Sequence, residues 1–172
     1  DGLTLSDTII LDVTPENEVP TATNTDQTVE FAEDASATTL TTIVVSENDS
    51  IQASTDTTTA SDDTTDETVT VSIVLSDSSA GSFSADTGSG ESFSSGTWSI
   101  SGVSVTTANT ALASLTYTPA VNYDKDASAT ITVEDADGLT FTDTIVLDVT
   151  PENEAPTATN TDQTVEFAED AS

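Results

Sequence analysis

The 172-residue chain carries 32 acidic residues against a single basic residue, Lys125, so its formal net charge is −31. Nucleic acid and anionic membrane surfaces are poor partners for such a chain, because both attract clustered Lys and Arg. The chain has no Cys and no His, which excludes disulfides, thiol catalysis, thiolate metal sites and a Ser-His-Asp triad. A carboxylate excess of this size resists compaction through self-repulsion. The strand patterns described below favour a folded chain neutralised by cations over a disordered one.

A long internal repeat organises the chain. Residues 137–172 duplicate residues 1–36 at an offset of 136 residues, and the copies differ at positions 5, 6, 10 and 19 of the first. A period of this length suits one independently folding domain. The sequence therefore predicts a slice of a tandem array. Residues 1–19 would be the last strand and linker of one repeat, residues 20–155 a complete repeat, and residues 156–172 the start of the next.

The first third of the chain predicts three strands and a linker. Residues 3–13 alternate apolar and polar side chains, as a half-buried strand does. The segment Pro15–Pro20 reads as an inter-domain linker, because proline at both ends stiffens it and keeps it out of a central strand. Short strands are then predicted at Val29–Phe31 and at about Thr38–Val45.

The middle of the chain combines a low-complexity loop with the clearest strand. Residues 52–66 carry four aspartates, which favour a solvated loop or, alternatively, a cation-binding loop. Residues 69–75 alternate cleanly and predict a strand. The Gly/Ser-rich residues 79–97 predict turns and short strands, followed by a strand from Trp98 to Val105. We expect Trp98 to pack in the core.

The last third predicts a helical turn and three more strands. The turn covers Thr107–Leu115 and feeds a strand that Pro119 ends, and further strands follow at residues 129–133 and 139–149. Asp143 falls on the apolar phase of the last strand, which predicts a bulge or a sheet edge there. About seven strands and one helical turn predict an all-β, antiparallel Greek-key sandwich of immunoglobulin-like type.

Alternating strand directions would gather oxygen ligands at the two poles of this sandwich. Six to eight oxygens from carboxylates, amides and carbonyls are what Ca²⁺ binds. Solvated loops are the alternative for any single Asp, but uncompensated clustering of the whole set would be costly. The predicted ligands at the bottom pole are Glu33, Asp34, Asp124, Asp126, Glu152, Asn153 and Glu154; those at the top pole are Glu16, Asn17, Glu18, Asn48, Asp49, Asp135 and Asp137.

These motifs resemble two related families. Glu33-Asp34, the NDS at 48–50, the DADG at 135–138 and the proline-bracketed ENE linkers resemble cadherin-type repeats. Residues 111–138 are similar to repeats of giant bacterial adhesins secreted by type 1 systems, the RTX adhesins. The cadherin linker reads DxNDN before a proline, whereas Thr150-Pro151-Glu152-Asn153-Glu154 lacks two of its aspartates. The glycine-rich nonapeptides of the RTX β-roll are absent, so the resemblance implies an extender region.

The resemblance implies a structural role and no enzyme. Identical repeats in tandem, stiffened by Ca²⁺ at their linkers, would project a terminal binding domain from a bacterial cell into the extracellular space. The alternative is a calcium-dependent module that binds a carbohydrate or another surface, through the ion or through residues 79–97. A glycosidase would need paired acids such as Asp62 and Asp63. Only Trp98, Tyr117 and Tyr123 could stack on a sugar ring well.

The duplicated strands also predict weak self-association. Residues 3–13 and 139–149 are two copies of one strand, as are residues 29–31 and 165–167. Either copy suits the same position in the sheet, and a strand with unpaired edges seeks a partner. We therefore expect strand-exchanged or head-to-tail association between copies of this chain.

Overall fold

The computed structural model describes residues 1–10, 17–47, 68–85, 87–153, 155–166 and 169. Within these residues the chain forms eleven strands and one nine-residue helix. The elements are β1 (Thr21–Thr23), β2 (Thr28–Ala32), β3 (Thr38–Thr39), β4 (Val44–Ser46), β5 (Thr68–Leu75), β6 (Gly81–Ser84), β7 (Ser92–Ser94), β8 (Thr97–Ser104), α1 (Val105–Ala113), β9 (Thr116–Pro119), β10 (Ala127–Glu134) and β11 (Thr140–Thr150).

The strands form an all-β sandwich, as predicted. One layer is a six-stranded sheet in the order β2-β11-β10-β5-β8-β7, and the other consists of a three-stranded sheet, β3-β9-β6, and the pair β1-β4. Neighbouring strands in these sheets pair antiparallel, except β2 and β11, which run parallel. The parallel pair departs from the antiparallel pairing of the other strands, and it agrees with the predicted alternation of strand directions, in which the first and last of seven strands point the same way.

The core lies between the layers and follows from the alternation of the long strands. β5, β10 and the second half of β11 bury every second residue, so their apolar side chains share one face. Tyr117 lies at the centre of the opposite layer, with its ring centroid 5.2 Å from that of Phe31 and 5.3 Å from that of Phe83. Its hydroxyl donates to the Ala80 carbonyl at 2.7 Å. Trp98 is fully buried, which confirms its predicted place in the core.

The helix begins earlier than the sequence suggests. Val105 has the apolar spacing of the preceding strand, yet α1 starts there because the Ser104 hydroxyl accepts the Thr107 N–H at 3.3 Å and caps the helix. Asn109 then joins the helix to β4. Its side-chain amide donates to the Val45 carbonyl at 2.9 Å and accepts the Val45 N–H at 2.8 Å, so one side chain takes the place of a partner strand.

The strand predicted over residues 38–45 is divided into β3 and β4. At the break, the side chain of Gln27 accepts the Thr41 N–H at 2.8 Å and donates to the Thr41 carbonyl at 3.0 Å. The backbone hydrogen bonds of Thr41 are thus satisfied without a partner strand. The division explains part of the excess of observed strands over the seven expected.

Asp143 lies at a sheet edge, one of the two predicted outcomes. Its pairing with Ile131 of β10 is in regular register, so no bulge is present there. β2 pairs with β11 only from Val146 onward, which leaves the first half of β11 with one neighbour. The Asp143 carboxylate accepts the Thr25 hydroxyl at 2.6 Å, and this bond, followed by one from the Thr144 N–H, lowers the pKa of Asp143.

The strand predicted over residues 3–13 is wrong for its described part. Residues 1–10 have no regular secondary structure and are exposed throughout, with Leu5 98 % exposed; residues 11–13 lie outside the described residues. The second copy of the same pattern forms β11 because β10 and β2 flank it. An isolated strand has no partner for the hydrogen bonds of its backbone, so the alternating pattern alone does not stabilise the extended conformation. The predicted domain boundaries stay a prediction.

Candidate metal centre at the two poles

The bottom pole is built by the parallel pair. Ala32 of β2 lies beside Thr150 of β11, so both strands leave the sheet at the same end. The Glu33 N–H donates to the Thr150 carbonyl at 2.9 Å, which continues the ladder by one step. The Glu33 carboxylate then accepts the Glu152 N–H at 3.1 Å and is itself buried. Glu33 thereby holds the start of the outgoing linker against the domain.

Two further predicted ligands join the bottom pole. Asp34 accepts the Asn122 N–H on Oδ1 at 2.7 Å, and Asp126 accepts the Val149 N–H on Oδ1 at 3.1 Å. Asp34 and Asn122 both adopt left-handed backbone conformations, with φ of 60° and 56°, which Asp and Asn tolerate better than other residues with a side chain. Each carboxylate uses one oxygen for these bonds, and an ionised carboxylate has two oxygens that accept.

The top pole is organised by Asp135, which is 5 % exposed. Its Oδ1 accepts the N–H groups of Asp137 at 2.9 Å and Leu139 at 2.8 Å, so it shapes the turn between β10 and β11. Its Oδ2 accepts the side-chain amide of Asn17 at 3.0 Å, across 118 residues of sequence. The turn before β11 therefore holds the incoming linker, as the bottom pole holds the outgoing one.

The hydrogen bonds at Asp135 favour its ionised form. Burial alone raises the pKa of this carboxyl, but the bonds from Asn17, Leu139, Asp137 and Gly138 outweigh the burial and hold the pKa below its ordinary value. The top pole thus contains a buried negative charge with no cationic side chain bonded to it among the described residues.

One polar atom at the top pole fits a cation. The side-chain carbonyl oxygen of Asn17 is buried and has no hydrogen-bond partner among the described residues. A buried acceptor left without a donor costs free energy. Beside it lies the Asp135 carboxylate, bonded through the nitrogen of the same amide. An amide oxygen and a carboxylate are ligands that Ca²⁺ takes, so the donor set at this position fits the ion.

The structure divides the fourteen predicted ligands into three groups. Seven make the pole contacts described above: Asn17, Glu33, Asp34, Asp126, Asp135, Asp137 and Glu152. The side chains of three others are exposed at or near the poles: Glu18, Asp124 and Asn153. Four lie outside the described residues: Glu16, Asn48, Asp49 and Glu154. Within the described ranges, no three acidic side chains stand close enough together to hold a metal by themselves.

Sequence reasoning missed two residues at the poles. Asn122 supplies the backbone N–H that donates to Asp34. The sequence signal was an Asn in a polar loop, because Asn is common at left-handed backbone positions. Glu47 follows β4 directly, and the pairing of Thr21 with Ser46 places it next to the incoming linker. The sequence shows that Glu47 follows a short predicted strand, but the predicted top-pole ligands of this loop begin at the next residue, Asn48.

The features considered for sugar binding are mostly inaccessible. Trp98 and Tyr117 are fully buried, so neither offers a ring face to a ligand, whereas Tyr123 is partly exposed. In the Gly/Ser-rich segment, Glu91 is already engaged. It accepts the hydroxyl of Thr87 and the N–H groups of Thr87 and Ser89, and these bonds, the hydroxyl first, lower its pKa to about 2. The pair Asp62 and Asp63 lies outside the described residues.

Comparisons with known proteins assign no family. No family model matches the chain, and no curated protein matches it significantly. The helix α1, the one helix in the described ranges, is too short to cross a membrane. Function is therefore inferred from the internal repeat, the charge and the contacts at the two poles.

Proposed function

We propose that this chain is a structural extender of a large, calcium-dependent bacterial surface adhesin. In this role, tandem copies of the domain project a terminal ligand-binding domain outward from the cell, and Ca²⁺ at the linkers stiffens the array. One observation carries the proposal: at the bottom pole, the buried carboxylate of Glu33 binds the backbone of the outgoing linker at Glu152. The acidic residues of the domain and the linker thus meet at the junction.

Named residues of this chain would hold the ion. Glu33, Asp34, Asp126 and Glu152 would contribute at the bottom pole, and Asn17 and Asp135 at the top pole, with the neighbouring copy completing each ligand set, because no three acidic side chains of the described residues could hold a metal by themselves. Bound Ca²⁺ supplies positive charge and bridges several oxygens at once. Without such compensation, carboxylates of the two poles and of the linker repel one another, since the whole chain carries a charge of −31. Neutralisation at the junction would therefore fix the linker in one conformation.

A scattering experiment tests the mechanism. The chain is lengthened by one period, with residues 1–172 followed by a second copy of residues 37–172. We expect a larger radius of gyration and a narrower distribution of interatomic distances in Ca²⁺ than in a chelator. The reason is that a stiff linker keeps the two domains extended, whereas a slack one lets them sample bent arrangements. Small-angle X-ray scattering curves that are identical in both conditions would contradict the proposal.

A calcium-dependent binding module for carbohydrate is the second candidate, and no observation on the described residues favours it. Two of the three aromatic residues that could stack on a sugar are fully buried. The Glu91 carboxylate of the Gly/Ser-rich segment is bonded within that segment. The spacer role needs neither an open aromatic surface nor a free carboxylate there.

We further propose that residues 1–10 mediate weak self-association by replacing the first half of β11 in another copy of the chain. In their own domain this position is already filled by β11. The association is expected to be weak, because the incoming strand replaces one of nearly the same sequence.

Two adjacent isoleucines provide a matched test of this exchange. Ile9 and Ile10 are similarly exposed, at 85 % and 79 %. In the exchanged strand, Ile9 would take the position of Ile145, which is fully buried, and Ile10 that of Val146, which is 42 % exposed. Ile9→Asp should therefore weaken association by about a hundredfold, the cost of burying a carboxylate in the core, while Ile10→Asp changes it little.

Analytical ultracentrifugation over a concentration series measures the effect. A chain trimmed to residues 20–155 is expected to stay monomeric and sets the baseline. Equal loss of association in Ile9→Asp and Ile10→Asp would point to general hydrophobic adhesion of the tail. A full-length chain that sediments as a monomer at every concentration would also contradict strand exchange.

A further inference from the structure

The two linkers of this chain show opposite sides of one junction. Residues 14–18 and residues 150–154 have the same sequence, Thr-Pro-Glu-Asn-Glu. The first precedes the described domain, and the second follows it. Contacts of the first linker therefore show how a linker meets the domain after it, and contacts of the second show how it meets the domain before it.

The two sets of contacts fall on neighbouring residues. The domain before a linker binds its third residue, because the Glu33 carboxylate accepts the N–H of Glu152 at 3.1 Å. The domain after a linker binds its fourth residue, because the Asp135 carboxylate accepts the side-chain amide of Asn17 at 3.0 Å. In the repeat, Asn17 corresponds to Asn153. No residue of the linker separates the two positions.

We propose that Glu152 and Asn153 form a two-sided clamp between successive copies of the domain. The Glu33 carboxylate of the preceding copy holds the backbone of Glu152, and the Asp135 carboxylate of the following copy holds the side chain of Asn153. The partner of this surface is thus a second copy of the same domain. The clamp deepens the proposed spacer function, on which its biological role rests, but its two hydrogen bonds need no metal.

The geometry makes such a junction short and directional. Consecutive Cα atoms are about 3.8 Å apart, so two carboxylates that hold neighbouring residues lie within about 15 Å of each other. Pro151 limits the backbone on the upstream side of the clamp. The buried Pro20 corresponds to Pro156 and limits it on the downstream side. The domains therefore have few rotatable bonds between them, and a preferred relative orientation follows even before any ion binds.

Spin-label distances in the lengthened chain test the clamp. The sequence contains no cysteine, so Thr130→Cys in both copies places one label on the exposed face of β10 in each domain. Measurements in chelator remove the contribution of metal. The parent chain should give one main distance, with a broader distribution than in Ca²⁺. Asn153→Ala should broaden the distance distribution about twofold, because the freed linker residues gain backbone conformations.

Asn17→Ala is the matched control. It removes the same hydrogen bond to an Asp135 carboxylate, but in the first linker, which does not connect the two labels. It should leave the distance distribution unchanged, so any shared loss of domain stability is accounted for. A parent distribution in chelator as broad as that of Asn153→Ala, or equal effects of Asn153→Ala and Asn17→Ala, would overturn the clamp. Narrowing by Ca²⁺ in that case would still support the spacer function, so the two proposals fail separately.

Discussion

Removal of Ca²⁺ is expected to lower the melting temperature of this chain by about 10 °C. A ligand that binds only the folded state at about 100 times its dissociation constant adds about 2.7 kcal/mol to the free energy of unfolding. For a domain of this size, about 1 kcal/mol corresponds to roughly 4 °C. The effect should be large here because the top pole contains a buried carboxylate at Asp135 and an amide oxygen of Asn17 without a donor among the described residues.

Controls separate specific binding from charge screening. Mg²⁺ prefers a small octahedral shell and keeps its waters, so it should restore only a small part of the lost stability. Sodium chloride at equal ionic strength screens the −31 charge without bridging ligands and should also restore little. Calorimetric melting curves that coincide with and without chelator would exclude stabilisation by Ca²⁺.

A pair of charge-removing variants locates the ion. Asp135→Asn keeps an acceptor for the turn but removes the charge, so the melting-temperature difference between Ca²⁺ and chelator should shrink. Asp148→Asn removes the same charge from the exposed face of β11, where Asp148 lies beside Glu30 of β2. It should leave that difference intact, even if relief of repulsion from Glu30 shifts both melting curves. Equal behaviour of the two variants would place the ion elsewhere.

The long strands could be predicted because the alternation of apolar and polar residues within each strand determines which side chains are buried. Val69, Val71 and Ile73 alternate with polar residues, and the structure buries each of them fully in β5. The same alternation failed at residues 3–10, because a strand also needs neighbours and the sequence pattern contains no information about them. The helix was placed two residues late, since Val105 fits the strand period and the deciding contact is the cap at Ser104.

The polar contacts of the candidate site were predicted as regions and not as pairs. Strand direction placed Glu33 near Glu152 and Asn17 near Asp135, and the structure brings both pairs into hydrogen-bond contact. Strand direction alone could not show which atoms meet, because these contacts join residues that are 119 and 118 positions apart in the sequence. The pairing of Asn109 with the backbone of Val45 has no sequence signal either, since an Asn on a helix usually faces solvent.

Gly81→Ala is expected to destabilise the domain by about 3 kcal/mol, a typical cost of overpacking at a buried contact. A Cβ at position 81 would lie 2.3 Å from the Thr118 carbonyl oxygen and 2.7 Å from the Tyr117 hydroxyl oxygen. Tyr117 cannot move aside easily, because Phe31 and Phe83 pack against its ring and its hydroxyl donates to Ala80. β6 must therefore shift away from β9, which opens the second layer of the sandwich.

Urea denaturation followed by fluorescence measures the loss, since Trp98 is the single tryptophan and is fully buried. Gly102→Ala is the control: its Cβ would meet open space, so only its φ of 62° costs stability, about 1 kcal/mol. In a Tyr117→Phe background, which lacks the atom at 2.7 Å, Gly81→Ala should cost less than it does in the parent chain. Some cost should remain, because the contact with Thr118 is with the backbone and persists. A midpoint for Gly81→Ala equal to that of Gly102→Ala would show that β6 and β9 are not packed this closely.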